Sequence, residues 1–133
     1  MAVGGMVNLA GKTALITGAA KRLGAATATA LARAGANVVL HYRSSAAEAQ
    51  HLAGALREWK VHTWCLQADL DADVSETEGF FAEACEKAGN IDFLINNASI
   101  FPEGTLWEVD ETNVTENVRI NALAPFYLAR CLA

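Results

Sequence analysis

The sequence predicts an α/β fold, a doubly wound parallel sheet covered by helices, and three observations favour it. Four short segments of apolar, β-forming residues alternate with segments of helical spacing along the 133-residue chain. Such alternation implies right-handed crossovers between parallel strands. The strand segments are almost continuously apolar, as expected when both faces of a sheet are covered. With 53% hydrophobic residues and 2 prolines, the chain also has the composition of one ordered domain.

Local signals set the boundaries of these elements. In chain order we predict a strand at 13–17, a helix at 23–34, a strand at 37–42, a helix from 45 to about 59, a strand at 61–67, a helix from about 75 to 88, a strand at 91–96 and a helix from about 113 onward. Gly35 and Gly89 end the first and third helices. The S-x-x-E patterns starting at Ser45 and Ser75 predict capping boxes at or near the starts of the second and third helices.

The last predicted helix contains a proline that should interrupt it. In an α-helix the carbonyl of Asn121 would accept a hydrogen bond from residue 125, but that residue is Pro125 and has no N–H. We therefore expect the helix to bend at Asn121 and its carbonyl to be available to another donor, such as a water. A bend that serves packing alone is the alternative.

Residues that directly follow the strands are the candidates for binding, because ligands of parallel α/β sheets bind at the carboxyl ends of strands. These residues are 17–24, 41–45, 68–70 and 96–101. The first segment is a glycine-bearing turn between strand and helix. Its backbone N–H groups and the helix dipole favour a phosphate there.

The charge distribution points to a small anionic ligand. The net charge is −5, yet residues 1–47 contain five basic and no acidic residues. The acidic chain gives no support for a nucleic-acid or membrane partner, whereas the basic region suits a small polyanion, with chance clustering as the alternative. Three widely spaced cysteines, Cys65, Cys85 and Cys131, are typical of reduced thiols in the cytoplasm, and no metal site is expected.

Three motifs together resemble the short-chain dehydrogenase/reductase family: TGAAKRLG at 17–24, NNAS at 96–99 and RINALAP at 119–125. The resemblance extends from about residue 12 to residue 133. Arg22 stands where the family usually has its middle glycine, and this departure, with LHYRSSAAEA and NNASIF, resembles the pteridine reductases within the family. Ketoacyl-carrier-protein reductases are the nearest alternative, although they usually keep the glycine and NNAG.

The resemblance implies a Rossmann-type sheet that is incomplete, with about four strands in the order 3-2-1-4. Residues 1–133 would form the NADP-binding N-terminal part of a single domain, and the catalytic C-terminal part would be absent from this chain. Family members are about twice this length and carry their catalytic Ser and Tyr-x-x-x-Lys pair further downstream. No such pair occurs here, because Tyr42 is followed four residues later by Ala46 and Tyr127 by Cys131. This chain alone is therefore expected to be inactive.

The end of the second strand favours NADP(H) as the cofactor. NAD sites place an acid about 20 residues after the glycines, but here His41-Tyr42-Arg43-Ser44 contains none. Arg43 and Ser44 would hold a 2′-phosphate, and Lys21 and Arg22 add positive charge; a merely solvated Arg43 is the alternative. The predicted cofactor-binding residues are Gly18, Lys21, Arg22, Leu23, His41, Arg43, Ser44, Asp69, Leu70, Asn97 and Ala98.

The resemblance also implies individual roles. Asp69 would accept a hydrogen bond from the adenine amino group, and residues 96–99 would line the nicotinamide ribose. Substrate would contact Arg22, Ser99 and Phe101, the last stacking on a pterin, although a loop Phe that caps the sheet is an even alternative. Asn121 matches the family's catalytic Asn, whose carbonyl holds a water beside the Lys.

The predicted function is that of an NADPH-dependent oxidoreductase, when full length, acting on a pterin-like or other carbonyl or imine small molecule. The resemblance implies a homodimer or homotetramer formed through the last helix and its neighbour. A catalytically silent dinucleotide-binding module is the alternative from a different class.

Overall fold

The computed structural model describes residues 7–133, and in them a four-stranded parallel sheet forms the centre of the fold. The strands are β1 (Thr13–Ile16), β2 (Asn37–Tyr42), β3 (Thr63–Gln67) and β4 (Phe93–Ile95). Their order is β3-β2-β1-β4, with β1 and β2 in the middle. This confirms the predicted α/β class and strand order.

Five α-helices connect and cover the strands of the described chain. They are α1 (Arg22–Arg33), α2 (Ala46–Leu56), α3 (Val74–Ala88), α4 (Glu111–Val118) and α5 (Ala124–Leu132). Alternate residues of the central strands point to opposite faces: Ala14 and Ile16 pack with α1 and α2, whereas Leu15 packs with α3 and α5. The core therefore consists of two layers, one on each face of the sheet.

Small side chains bring the first helical layer close to the sheet. Ala28 and Ala32 of α1 are fully buried, as is Ala49 of α2, and Ala53 is 1% exposed. Each pair is spaced four residues apart, so its two members lie on one face of their helix. This arrangement accounts for the alanines at these four positions.

The starts of the helices differ in part from the sequence prediction. Ser45 is the N-cap of α2, but its side chain makes no capping hydrogen bond, so the predicted capping box does not form. Glu48 instead pairs with Lys21. Asp73 rather than Ser75 caps α3, because its carboxylate accepts the N–H of Glu76 at 3.0 Å. Thus Ser75 lies near the start of the helix without opening it.

The last predicted helix is interrupted where Pro125 requires it. It begins at Glu111, two residues earlier than predicted, and is divided by a π-helical turn, Arg119–Leu123, between α4 and α5. The N–H of Ala124 donates to the carbonyl of Arg119, five residues back. The interruption confirms that the regular α-helical pattern fails at Asn121, in the form of a widened turn.

Two negative findings concern residues 7–133. None of their helices combines the length and the apolar character that a membrane span needs. Their His, Cys and acidic side chains form no group of three or more that could hold a metal ion.

Candidate functional site

A cavity of about 480 Å³ opens at the carboxyl ends of the strands, where the sequence placed the site. Its size lies within the usual range of small-molecule sites, about 300–1,000 Å³. It is lined by the turn after β1, the end of β2, Leu70 after β3, the segment after β4 and one residue of the π-helical turn. The residues that line it are Gly18, Ala20, Lys21, Arg22, Leu23, His41, Tyr42, Arg43, Ser44, Ser45, Leu70, Asn97, Ala98, Ser99, Ile100 and Ile120.

The cavity lining carries positive charge only. Of the described residues that form it, Lys21, Arg22 and Arg43 are cations and none is a carboxylate. Arg43 forms ion pairs outside the lining, with its Nε 3.4 Å from Asp69 and its Nη1 3.4 Å from Glu116. The Arg43 and Asp69 side chains are about half exposed, so solvent screens their pairing. An anion in the cavity would meet no carboxylate on the wall.

The glycine turn packs so closely against the end of β4 that only glycine fits at two positions. Gly18 has a φ of 60°, and a Cβ there would lie 3.0 Å from the Cα of Ala98. A Cβ on Gly24 would lie 2.1 Å from the Gly18 carbonyl oxygen and 2.7 Å from the Asn97 Nδ2. These contacts bring the start of α1 directly against the turn.

Hydrogen bonds from Thr17 and Asn97 connect the turn to β4. The Thr17 hydroxyl, which is buried, accepts the N–H groups of Asn97 and Ala98, both at 3.0 Å. The Asn97 Nδ2 donates to the carbonyls of Thr17 at 3.1 Å and Gly18 at 3.0 Å. The Asn97 side chain therefore shapes the cavity by holding its walls together.

Arg22 adopts a backbone conformation that favours glycine. Its φ is 51°, in the left-handed region. The family motif that the sequence resembles has glycine at this position, so the geometry is kept although the side chain differs. The side chain is exposed and lines the cavity at the first turn of α1.

His41 lines the cavity, although its side chain is almost fully buried beneath the glycine turn. Its Nδ1 lies 3.0 Å from the Gly18 nitrogen, and its Nε2 lies 3.0 Å from the Ala68 carbonyl oxygen. The side chain is almost fully buried, and this desolvation lowers the pKa of His41 below its ordinary 6.5, although the Ala68 carbonyl and the Asp69 charge oppose the shift. Both ring nitrogens have protein partners, and the predicted contact of His41 with a cofactor stays a prediction.

The N–H groups that remain for an anion belong to α1. Gly18 donates to His41 Nδ1 and Ala19 donates to the His41 carbonyl at 2.9 Å. The first turn of a helix has no intrahelical acceptors for its own N–H groups. Arg22 and Leu23 of this first turn line the cavity, so their N–H groups are candidates for binding an anion.

Three predicted site residues lie outside the lining. Asp69 pairs with Arg43 and accepts the N–H of Asp71, and Phe101 is 92% exposed. Asn121 acts on the wall through Ile100, since its Oδ1 accepts the Ile100 N–H at 2.9 Å and its Nδ2 donates to the Ile100 carbonyl at 2.8 Å. The other predicted residues are brought together as expected.

Several residues of the site were not assigned a role from the sequence, although all of them except Ile120 lie within the candidate segments 17–24, 41–45 and 96–101. The unpredicted lining residues are Ala20, Tyr42, Ser45, Ile100 and Ile120. Thr17 and Gly24 were also absent from the predicted set, although both stand within the glycine motif. A hydroxyl at the end of an apolar strand is the signal that would have identified Thr17, because a buried hydroxyl needs hydrogen-bond partners.

Comparison with known proteins places this geometry in a family. The profile described as short chain dehydrogenase matches residues 12–133. A short-chain dehydrogenase/reductase from Pestalotiopsis microspora is 37% identical over 122 residues, which make up 92% of this chain and 46% of the relative. Elsinochrome reductase 1 from Elsinoe fawcettii is 36% identical over 122 residues, 92% of this chain and 45% of the relative. The chain thus spans about half the length of these curated relatives.

Solved structures agree with the assignment. A short chain dehydrogenase from Burkholderia cenocepacia, in complex with NADP, is similar with a TM-score of 0.89 and 30% identity, over 94% of this chain and 51% of that one. A blue fluorescent protein from a metagenomic library, in complex with NADPH, gives a TM-score of 0.85 and 32% identity, over 94% of this chain and 51% of that one.

Proposed function

The chain belongs to the short-chain dehydrogenase family, and from this premise we propose that it is the NADPH-binding part of an oxidoreductase. The reaction would be the reduction of a carbonyl or imine group in a small molecule. Both solved relatives described above were determined with NADP or NADPH, which supports a phosphorylated dinucleotide as the cofactor.

One observation carries the proposal: the cavity wall has three cations and no carboxylate among the residues described. A carboxylate at the end of β2 would repel a 2′-phosphate, but Arg43, Ser44 and Ser45 occupy that end. The Arg43 ion pairs are exposed and therefore weak, about 0–1 kcal/mol each. A phosphate dianion can replace them, because guanidinium binds phosphate through two parallel hydrogen bonds.

The residues fit the rest of the cofactor. Gly24, which has no room for a Cβ, allows α1 to begin close to the turn, so that its first N–H groups can hold the pyrophosphate. Arg22 would reach the pyrophosphate and the substrate carbonyl oxygen, while Leu70 and Ala98 supply apolar wall. The bound cofactor would supply the hydride.

The proton would come from outside the residues of this cavity. The chain has no Tyr-x-x-x-Lys spacing, so the proposed Tyr donor and the Lys that lowers its pKa belong to other sequence of the intact gene product. Asn121 would contribute its main-chain carbonyl, which cannot pair with residue 125, to a water beside that Lys. Residues 7–133 alone are expected to bind NADPH without turnover.

Dissociation constants for NADPH and NADH test the cofactor assignment. Arg43→Ala should weaken NADPH binding about tenfold and leave NADH binding within about twofold, since the lost partner contacts only the 2′-phosphate. The control is Arg33→Ala, which removes an equal charge at the far end of α1 and should change neither constant. Equal or tighter binding of NADH by the unaltered protein would contradict the proposal.

A pterin-like substrate is the narrower proposal; Ser99 supports it from the cavity lining, whereas Phe101 lies outside the lining and would have to turn toward a bound pterin. Ser99 lines the cavity where the family usually has glycine, and Phe101 follows on the adjoining loop. With a pterin, Phe101→Ala should weaken binding by roughly 1–3 kcal/mol because stacking and apolar burial are lost. The same substitution should weaken the binding of a keto-ester substrate by less. Trp107→Ala, on the same loop and equally exposed, is the control. Equal small losses with both substrates would favour a ketone reductase.

A further inference from the structure

His41 connects three segments at the carboxyl-terminal ends of the strands, where the cavity lies. It belongs to β2, its Nδ1 faces the Gly18 nitrogen after β1, and its Nε2 faces the Ala68 carbonyl after β3. The ring also packs edge-on against Phe80 of α3, with 5.1 Å between ring centroids. Contacts on every side hold the imidazole in one orientation.

The two hydrogen bonds fix the tautomer of this ring. An amide N–H can only donate, so Nδ1 must carry a lone pair and accept from Gly18. A carbonyl can only accept, so Nε2 must carry the hydrogen and donate to Ala68. A second proton could attach only at Nδ1, and it would point at the Gly18 N–H. Gly18 therefore keeps its hydrogen bond only while the ring is neutral, because a protonated Nδ1 has no lone pair to accept the Gly18 N–H.

We propose that His41 is a positioning residue for cofactor binding: its neutral ring holds the glycine turn in the phosphate-binding position, and protonation of Nδ1 releases it. This rests on the proposed dinucleotide-binding function. Gly18 lies four residues before Arg22, the first residue of α1, and both residues line the cavity. Displacing Gly18 also disturbs its carbonyl, which accepts from Asn97 at 3.0 Å and holds the turn to β4.

The surroundings of the ring decide the direction of the pH effect. Burial disfavours imidazolium, whereas Asp69, which follows Ala68, favours it with its negative charge, and Phe80 offers no charge. Asp69 is itself paired with Arg43. Since burial is the larger influence, the pKa of His41 lies below 6.5 and the ring is neutral at neutral pH. Protonation of the ring, and with it release of the turn, is accordingly shifted to lower pH than for an ordinary histidine.

The test is the affinity for NADP⁺, which tolerates acid, measured on the intact gene product between about pH 8 and about pH 5. His41→Asn is the informative variant, because its Oδ1 can accept the Gly18 N–H in place of Nδ1 but does not titrate. His51→Asn is the control: it removes an exposed imidazole from α2. Titration of the 2′-phosphate affects all proteins equally. Melting temperatures at each pH identify any loss caused by unfolding.

We expect the unaltered protein and His51→Asn to lose about tenfold more affinity over this range than His41→Asn does. Identical pH profiles for the three proteins would overturn the proposal. A His41→Leu protein that binds as tightly as the unaltered one at pH 8 would also overturn it, because leucine offers Gly18 no acceptor.

A second measurement separates this inference from the proposed function. The Gly18 amide resonance, followed by NMR without ligand, should shift with the titration of the His41 ring and stay constant in His41→Asn. If neither the unaltered protein nor the variants bind NADP⁺, the proposed function fails. The Gly18 resonance then still shows whether protonation of His41 affects the turn. A Gly18 amide that ignores the titration of the ring would refute the coupling.

Discussion

Gly24→Ala is the substitution that tests the packing of the cavity most sharply. The added Cβ would lie 2.1 Å from the Gly18 carbonyl oxygen, 2.7 Å from the Asn97 Nδ2 and 2.9 Å from the Ala19 Cα. Two of these atoms are backbone, and Asn97 is held by two hydrogen bonds. Since ordinary contacts begin at about 3.5 Å, α1 must move by about 1 Å or more.

The magnitude follows from two opposing effects. Overpacking of this kind costs about 1–3 kcal/mol, while alanine gains about 1 kcal/mol over glycine in a helix. Gly54→Ala in α2 is the matched control, because its added Cβ meets nothing within 4 Å and gains the helix propensity alone. The free energies of unfolding of the two variants should therefore differ by about 1–3 kcal/mol, with Gly24→Ala the less stable.

Urea denaturation measures that difference, and NADPH titration measures the displacement of the helix start. We expect Gly24→Ala to lose at least about tenfold in NADPH affinity and Gly54→Ala to lose none, because only the first moves the phosphate-binding N–H groups. If Gly24→Ala stabilised the protein as much as Gly54→Ala, the close approach of α1 to the turn would be refuted.

Three further substitutions probe the polar contacts. Thr17→Val should cost about 1–3 kcal/mol in chemical denaturation because it leaves the part-buried Ala98 N–H without its acceptor and the Asn97 N–H with the Ile95 carbonyl alone, whereas Thr13→Val, also at a buried position, should cost little; equal losses would contradict this. Asn121→Leu should speed hydrogen exchange of the Ile100 amide about tenfold, and unchanged exchange would contradict the role of the Asn121 side chain in holding Ile100. Hydrogen bonds from Glu76 and Ser75 lower the pKa of the Asp73 carboxyl below 3.8, so its stabilisation is present above that pH and disappears as the pH falls further. Asp73→Ala should therefore lower the Tm at neutral pH but not in strong acid, and a Tm difference that persists in acid would contradict it.

Periodicity and local turn signals were sufficient for the class of fold and the succession of elements along the chain, whereas the order of the strands in the sheet was implied by the family resemblance. Alternation of apolar strands with amphipathic segments is a local property, and the structure keeps it in all four predicted strands. The exact ends of the helices depend on which hydrogen-bond and ion-pair partners the capping residues find. Ser45 precedes α2 as predicted, yet Glu48 turns to Lys21 instead of completing the capping box. A pattern of four residues does not show which of two partners a carboxylate will choose.

The site was predictable where a residue acts through its charge or its lack of a side chain. The basic turn and the acid-free end of β2 are visible in the sequence, and they line the cavity. The contacts of Asn97 and Thr17 join residues 80 positions apart, so only the three-dimensional pairing of β1 with β4 reveals them. His41 shows the same limit: its place in β2 was clear, but not the donor and acceptor that flank it.

A crystal structure of the intact gene product with NADPH tests the central claim most directly. The account predicts the 2′-phosphate within hydrogen-bond distance of Arg43 and Ser44, and the pyrophosphate on the N–H groups at the start of α1. It also predicts that Gly18 keeps its hydrogen bond to His41. A dinucleotide bound outside this cavity, or one whose 2′-phosphate makes no contact with Arg43, would contradict it.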